Sequence, residues 1–349
     1  MRILAVLTVR NEGAFLIDWL AHHRAAGVTD VLAFSNDCAD GTDGMLDRLQ
    51  ETGWLTHVRN DGPHPEGPQW AALKAADRHP LRRDADWICV IDIDEFINIR
   101  VPGHRLPDLI AALPGGTTAL AMTWRMFGNA GIAAFEDRPV TAQFTRAAPE
   151  VLHWPWRAVQ FKTLFRNDGS YRRLGVHRPR APDPAHEPAI RWVDGDGRPL
   201  PDAFRRGRVF CGLGRQPYGQ VQLNHYAIGS AESFLVKCDR GRANREGAAF
   251  DAGYWIERNF DAVQDDSILA LEPAAAVHRA GLRADPVLGP LHEAAVGWRR
   301  ARFAALMEDE PWRAFYGRLL MAGAARLLTP DQARGIWRWG QPGNSGGAL

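Results

Sequence analysis

Three acidic side chains close a strongly apolar stretch of the chain. Asp92, Asp94 and Glu95 lie at the end of the run 87–93, which is predicted to be a buried strand. Side chains alternate along a strand, so Asp92 and Asp94 are expected on one side and Glu95 on the other, in a structural role. Two carboxylates that converge without a basic neighbour repel each other, and a cation between them relieves the repulsion. Oxygen ligands favour Mg²⁺ or Mn²⁺, which keep positions open for phosphate oxygens.

Two aspartates one residue apart are common, and they could be solvated acids at a strand end. The apolar strand that runs directly into three acids favours the metal interpretation. In open parallel sheets, ligands bind beyond the carboxyl ends of the strands. A cation held there would neutralise a departing nucleoside diphosphate.

The elements that must position these acids follow an alternating pattern. Strand-like runs at 3–9, 31–34, 54–58 and 87–93 are separated by helix-like segments at 12–26, 42–49 and 68–76. This rhythm predicts an α/β fold with a parallel sheet and right-handed crossovers. Further on, the patterns predict a helix at 106–113, strands at 118–124 and 223–227, long loops at 178–220 and a helix that opens at Ser230.

Composition limits the classes of function. The 349 residues carry a net charge of +1, which gives no electrostatic argument for a nucleic-acid partner. The four cysteines are scattered, so we expect neither a zinc cage nor a disulfide framework, and a reducing cytoplasm fits. No run approaches the ~20 apolar residues of a spanning helix, and we expect the first strand to begin almost at residue 1, with no signal peptide.

Four segments together resemble a known family. They are residues 8–12 after the first strand, 35–43 after the second, 91–96, and 224–226 followed by 230–241. In this order and spacing they resemble GT-A glycosyltransferases, in particular the family 2 superfamily and its branch related to family 92. The resemblance implies a Rossmann-like, mainly parallel sheet flanked by helices, with a C-terminal helical appendage. It implies a glycosyltransferase domain at 1–265, with a nucleotide-sugar-binding half at 1–125 and an acceptor half at 126–265. A helical region with a disordered tail is expected at 266–349.

The resemblance also implies roles for single residues. The nucleobase and ribose would be held by Thr8, Arg10 and Glu12. The loop that closes over the nucleoside would carry Asn36, Asp37 and Asp40. The metal and the donor diphosphate would be bound by Asp92 and Asp94, with His225 as a further metal ligand. The departing diphosphate would be flanked by Lys237 and Arg240.

Each of these roles has a structural alternative. Asp40 could form only a turn and helix cap, Glu12 a helix cap, and His225 a packed core histidine. Lys237 and Arg240 share one helix face, which could simply be solvated. His177 competes with His225 for the metal, and Lys162 and Arg166 could contact a phosphate or lie on an ordinary amphipathic strand.

Sugar transfer with inversion, which the relatives imply, also needs a carboxylate base. The candidates are Glu136, Glu232 and Asp239; Glu232 is favoured, with helix capping as its alternative. The predicted catalytic set is therefore Glu232, Asp94 and Lys237.

The predicted function is metal-dependent transfer from a UDP- or GDP-sugar to a glycan, lipid-linked or protein acceptor. A non-catalytic glycan-binding or partner-binding protein is one alternative. A nucleotidyltransferase is another, although the loop 8–13 lacks the glycine-rich basic pattern typical of those enzymes. The Trp- and Arg-rich stretches 298–303 and 337–339 are expected to pack on the catalytic domain. Peripheral contact with the inner face of a membrane is their alternative.

Overall fold

The first strand, β1 (Ile3–Val9), is buried on both faces because its alternate side chains enter two separate apolar clusters. Ile3 and Leu7 join the larger cluster, whereas Leu4 and Val6 join the cluster on the opposite face of the sheet. This is the pattern expected of a central parallel strand. The structure is a computed structural model that describes residues 1–212, 214, 217–241 and 251–339.

Nine strands form one mixed, mostly parallel sheet in the order β3-β2-β1-β4-β8-β6-β12-β5, and β11 pairs with β6. Strands β4–β8, β8–β6 and β12–β5 are antiparallel neighbours, and the other pairs are parallel. The remaining strands of this sheet are β2 (Asp30–Ser35), β3 (Thr56–Arg59), β4 (Trp87–Val90), β5 (Glu95–Ile99), β6 (Ala119–Met126), β8 (Phe161–Arg166), β11 (Trp192–Val193) and β12 (Val221–His225). Two small pairs lie outside it: β9 (Tyr171–Arg173) with β10 (Arg180–Pro182), and β7 (Arg146–Ala147) with β13 (Val263–Gln264).

Helices flank this sheet, so the predicted α/β class with a mainly parallel sheet is confirmed. They are α1 (Gly13–Ala25), α2 (Thr42–Glu51), α3 (Pro68–Ala76), α4 (Pro80–Asp84), α5 (Leu106–Ala112), α6 (Val140–Gln143), α7 (Ala203–Arg206), α8 (Ala231–Arg240), α9 (Ala252–Ile256), α10 (Glu272–Arg283), α11 (Leu288–Leu306), α12 (Glu310–Ala322) and α13 (Pro330–Trp339). Short 3-10 helices span Trp156–Val159, Glu187–Ala189 and Ser267–Leu271.

The C-terminal helices do not form a core of their own. Helices α10 and α11 pack against α1, and α12 packs against α8 and α9. A third apolar cluster joins α8, α9, α11 and α12, with Phe234, Trp255 and Leu306 at its centre. The predicted helical appendage is therefore continuous with the sheet domain. The predicted disordered tail at 340–349 lies outside the described residues. Within the residues that are described, no helix is both long and apolar enough to cross a membrane.

One element differs from the prediction. The strand expected at 87–93 ends at Val90, and the chain turns through residues 91–94 before it enters β5. β5 then pairs antiparallel with β12 at the edge of the sheet. The two aspartates therefore lie in a turn between strands rather than on a continuing strand.

Candidate active site

The turn at 91–94 is fixed by hydrogen bonds from distant parts of the chain. Trp19 Nε1 on α1 donates to the carbonyl oxygens of Asp92 at 3.0 Å and Glu95 at 3.2 Å. The Glu95 carboxylate accepts the Asp92 N–H at 2.8 Å and Trp124 Nε1 at 2.6 Å. Glu95 is fully buried, and burial raises its pKa to about 8 although Lys162 opposes this. Trp19 and Glu95 thus fix the turn that carries both aspartates at the carboxyl ends of the parallel strands.

Both aspartates have a lysine partner. Lys162 Nζ on β8 lies 2.9 Å from Asp92 Oδ2, and Lys237 Nζ on α8 lies 2.7 Å from Asp94 Oδ2. The premise that the two carboxylates lack a basic neighbour is therefore wrong. It failed because α8 and the antiparallel strand β8 bring in lysines that lie far away in the sequence. The chain has only three lysines, and two of them are used here.

The ionised form of Asp94 is stabilised by the side chains around it. Burial alone would raise its pKa, but Lys237 and His225 hold the pKa of Asp94 well below its usual range. The pKa of Lys237 is raised by Asp94 in spite of burial, so the pair is ionised. Lys237 Nζ also donates to the Ala227 carbonyl at 2.6 Å. His225 Nε2, at the end of β12, lies 3.6 Å from the same Asp94 oxygen.

A cavity of about 360 Å³ opens beside these carboxylates, and we call it the diphosphate cleft. The carboxyl ends of β1, β4 and β12 meet at this edge, where open parallel sheets bind ligands. Among the described residues, its lining has five cationic side chains and three acidic ones. The cationic ones are Arg10, Arg157, Lys237, Arg240 and Arg258, and the acidic ones are Glu12, Asp92 and Asp94. This excess of positive charge favours an anionic ligand.

The end of β1 and the loop after it place three predicted residues on this cleft. Thr8, Arg10 and Glu12 all line it. Glu12 forms an ion pair with Arg240, whose Nη1 also donates to the Arg10 carbonyl at 2.6 Å. Burial raises the pKa of Glu12 despite the charges of Arg240 and Arg299. The structure therefore joins the loop after β1 to the end of α8, and it brings Arg240 and Lys237 to the same cleft.

The loop after β2 is placed differently. Asn36, Asp37 and Asp40 are not among the described residues that line the diphosphate cleft. Asp40 accepts hydrogen bonds from Gly13 N at 2.9 Å and from Thr42 N at 2.9 Å, so its carboxylate fixes the turn before α2 against the start of α1. Asp37 accepts the Asn36 amide at 2.7 Å and the Gly62 N–H at 3.1 Å. These bonds support the turn-and-cap alternative for Asp40 rather than contact with a nucleoside.

Glu232 does not reach the cleft in this structure. Its Oε2 accepts the Phe135 N–H at 2.8 Å, and its own N–H donates to the Ala133 carbonyl. The carboxylate is therefore used to hold the segment 133–135 against the first turn of α8, which argues against the predicted role as base. The Asp239 carboxylate also has a partner. It accepts hydrogen bonds from Arg302 of α11, from Nε at 2.7 Å and from Nη2 at 2.6 Å.

Glu136 differs from the other two candidate bases because it lines a cavity next to the cleft, although its carboxylate pairs with Arg138 at 3.2 Å. It lines a second, narrower cavity that shares Glu12, Ile93, Asp94 and Lys237 with the diphosphate cleft. The two cavities therefore meet at the Asp94–Lys237 ion pair. Most of the other residues around the second cavity are apolar or aromatic, including Phe15, Phe96, Phe135, Phe144 and Tyr226.

The donor atoms at the cleft suit a hard divalent cation. Asp92, Asp94 and His225 line the same cavity; the carboxylates suit Mn²⁺ or Mg²⁺, and the added imidazole suits Mn²⁺. The structure brings Asp94 and His225 together but leaves Asp92 apart. In the part of the chain that the structure describes, the one cluster of three such side chains within 4.8 Å is Asp137, His292 and Glu293. Asp137 there is already paired with Arg283 at 2.7 Å.

His177 and His225 flank the same tryptophan. The Trp124 ring lies 4.3 Å from the His225 ring and 5.4 Å from the His177 ring. His177 Nδ1 is bonded to the Phe161 carbonyl at 3.0 Å, and burial lowers the pKa of His177 to about 4. Burial also lowers the pKa of His225, although Asp94 opposes this, and His225 is the one of the two histidines that adjoins a carboxylate.

Several cleft residues carried no recognisable sequence signal. Arg157, Tyr254 and Arg258 line the cleft from segments with no motif, and the Arg258 guanidinium lies 3.6 Å from the Tyr254 ring centre. Lys162 could have been singled out, because lysine is rare in this chain and this one interrupts an apolar strand. Arg166, on the same strand, is exposed and lines a different groove at the opposite edge of the sheet.

Sequence comparisons agree with the resemblance. No protein-family model matches the chain. A glycosyltransferase family 92 protein of Oryza sativa subsp. japonica is 26% identical over 147 residues, which cover 41% of this chain and 24% of that protein. A family 92 protein of Ricinus communis is 26% identical over 140 residues, or 39% of this chain and 25% of that protein. The chain thus matches about a quarter of the length of these curated relatives.

The solved structures that match this chain resemble it only weakly. The crystal structure of S. aureus TarS residues 1–349 has a TM-score of 0.35 and 12% identity, and the alignment covers 98% of this chain and 92% of that one. Glucosyl-3-phosphoglycerate synthase from Mycobacterium tuberculosis, in complex with Mg²⁺ and UDP, has a TM-score of 0.28 and 18% identity over 55% of this chain and 69% of that one. Scores of this size do not establish a shared topology. By sequence, the chain is similar to glycosyltransferases of family 92, as its motifs predict.

Proposed function

We propose that the protein transfers a sugar from a nucleotide-sugar donor whose diphosphate binds in the diphosphate cleft. The observation that carries the proposal is the Asp94–Lys237 ion pair at the carboxyl edge of the sheet, in a cavity with surplus positive charge. A nucleoside diphosphate is the anion that fits such a site, because it needs fixed cations around the phosphates. The similarity to family 92 glycosyltransferases supports the same reaction class.

The residues around the cleft have different roles in the proposed reaction. Lys237 and Arg240 stabilise the negative charge that develops on the leaving diphosphate, and Arg10 adds a third cation beside Arg240. Thr8 and Glu12 approach the nucleoside. A divalent cation, Mn²⁺ or Mg²⁺, would be held by Asp92 and Asp94 with His225 beside them, and it would supply further charge neutralisation when bound. Lys162 and Lys237 hold the two carboxylates in place through their ion pairs.

The acceptor is a hydroxyl of a glycan, a lipid-linked compound or a protein. Glu136 is the acid best placed to take its proton in an inverting reaction, because its cavity meets the cleft at Asp94 and Lys237. Glu232 is replaced in this role because its carboxylate holds the Phe135 N–H.

Nucleotide binding can be tested by thermal unfolding of the whole protein with UDP or GDP, each with Mn²⁺ and with EDTA. A ligand that binds only the folded state raises the melting temperature. We expect one nucleotide to stabilise the protein and Mn²⁺ to increase the effect. A flat response to every nucleotide would contradict the proposal, and stabilisation that EDTA leaves unchanged would assign charge neutralisation to the lysine and arginine side chains of the cleft alone.

A further inference from the structure

The exposed large apolar side chains concentrate in α12, α13 and the link between them. Six of these side chains are 40% to 80% exposed: Leu320, Met321, Leu327, Ile336, Trp337 and Trp339. We call this set the C-terminal apolar surface. Among the described residues, the four other exposed large apolar side chains lie one each at the N-terminus, on α9, on α10 and before α11. Such a concentration in one region marks an interaction surface.

The C-terminal apolar surface rests on a folded support. The inner face of α12 packs into the third apolar cluster through Trp312, Phe315 and Leu319, and Leu319 is 2% exposed. The link after α12 is tied down by Asn259, whose Nδ2 donates to the Gly323 carbonyl at 2.7 Å and whose carbonyl accepts the Ala325 N–H at 2.6 Å. Leu320 and Met321 are therefore presented by a helix whose other face is already packed, whereas α13 is exposed along most of its length and buries Ala333.

Helix α13 separates apolar from basic side chains. At about 100° per residue, Ile336, Trp337 and Trp339 share one side of the helix, whereas Arg334 and Arg338 share the other. Ala333, on the apolar side, is buried, but its large neighbours are 42% to 71% exposed. Arg334 pairs with Asp331 one turn earlier. Tryptophan and arginine in this arrangement suit the boundary between water and lipid.

The net charge of the region around the C-terminal apolar surface indicates which kind of partner it favours. Residues 318–339 contain four arginines and one aspartate, a net charge of +3, whereas the whole chain carries +1. The acidic residues 308–310 lie at the far end of α12, before this region. Arginines beside an apolar, Trp-rich face attract anionic headgroups while the apolar side chains enter the interface.

From these observations we propose that the C-terminal apolar surface docks the protein on an anionic lipid bilayer. The stretch 298–303, which also mixes Trp and Arg, does not take part, because Trp298 and Phe303 pack against the third cluster. The two Trp- and Arg-rich stretches thus have different roles, one in packing and one at a membrane surface. The proposal does not depend on the proposed transfer reaction.

The test is flotation of the full-length protein with vesicles of phosphatidylcholine alone or mixed with phosphatidylglycerol. We expect binding to the anionic vesicles only, weakened by added salt. Trp337→Ser/Trp339→Ser should abolish flotation. Arg334→Glu/Arg338→Glu should reduce it by at least about fivefold for each arginine replaced. Val277→Ser and Arg83→Glu, at exposed sites on other elements, serve as matched controls with wild-type flotation expected.

Far-UV circular dichroism and the melting temperature establish that each variant is folded, as expected for exposed positions. The proposal is overturned if the folded wild-type protein fails to float with anionic vesicles. It is also overturned if the Trp337→Ser/Trp339→Ser variant floats as well as the wild type. A wild-type dimer in light scattering that this variant dissociates, without lipid binding, would instead make the surface a contact between two copies of the chain.

Discussion

One oxygen of Asp94 links three elements of the candidate site: it lies 2.7 Å from Lys237 Nζ on α8 and 3.6 Å from His225 Nε2 at the end of β12. Because Asp94 itself belongs to the turn after β4, this single carboxylate fixes the helix and both strand ends relative to each other. A diphosphate that enters the cleft therefore meets a preformed arrangement of charges, which is the condition for electrostatic catalysis.

Replacing Lys237 by Met keeps the length of the side chain and removes its charge. We expect Lys237→Met to lower donor turnover by about 10²- to 10³-fold, the usual cost of losing one charge-stabilising donor. Lys74→Met is the matched control, since Lys74 is half exposed and pairs with Glu66 on the surface. Initial rates of nucleoside diphosphate release measure the effect. Equal rates for the two variants would exclude Lys237 from the leaving-group site.

The two candidate bases can be separated by the same conservative change. Glu136→Gln should lower the transfer rate by about 10²-fold or more, because proton transfer by a positioned side chain contributes that much. Glu232→Gln should stay within about threefold of the wild type, since the amide oxygen can still accept the Phe135 N–H. Transfer to an acceptor, not donor hydrolysis alone, is the required measurement. The reverse ranking would restore Glu232 as the base.

Trp19 is expected to position the metal-binding turn without touching the substrate. Trp19→Phe keeps the ring in the core but removes the N–H that bonds the Asp92 and Glu95 carbonyls. Leaving these acceptors unpaired should cost about 1–3 kcal/mol of stability. We expect a lower kcat with little change in the nucleotide affinity measured by calorimetry. Wild-type kcat in the folded variant would show that the turn does not depend on this bond.

Much of the sheet could be predicted from local patterns, and the Asp92 turn could not. The apolar run 3–9 and the glycine after α1 indicate a central strand and a helix end without reference to the rest of the chain. The end of β4 depends on Trp19 and Trp124, which lie far from the turn in sequence. The pattern of residues 87–99 does not show where β4 ends, so the predicted strand extended to residue 93, beyond its actual end at Val90.

The candidate site, like the sheet, could be predicted only in part, because some of its contacts come from residues far away in the sequence. The resemblance implied that Thr8, Arg10 and Glu12 hold the nucleotide, and they line the cleft because they lie at or just after the carboxyl end of β1. The partners of the two aspartates could not be placed, because Lys162 enters from an antiparallel strand between β4 and β6. The contact of Glu232 could not be predicted either, because its carboxylate accepts the N–H of Phe135, a loop residue almost one hundred positions earlier.

Two buried histidines on α1 should make stability depend on pH. Burial lowers the pKa of His22 from 6.5 to about 4, and it holds the pKa of His23 well below its usual value. The unfolded state therefore binds protons first, and stability is lost as the pH falls from about 6.5 towards 4. The His22 contribution is on the order of 2 kcal/mol by about pH 5. His22→Gln, which can still donate to the Ile97 carbonyl, should show a smaller loss in denaturant titrations at two pH values. An unchanged pH dependence would contradict this assignment.

Nucleoside diphosphate release from a panel of UDP- and GDP-sugars is the most direct test of the proposed activity. The wild-type protein and Asp94→Asn should be compared with Mn²⁺ and with EDTA, and an NTP plus a sugar phosphate serves as the nucleotidyltransferase control. We predict slow release from at least one donor, and a rate at least about 10²-fold lower in Asp94→Asn. No release from any donor, or equal rates for the two proteins, would contradict the proposal that the diphosphate cleft is a donor site.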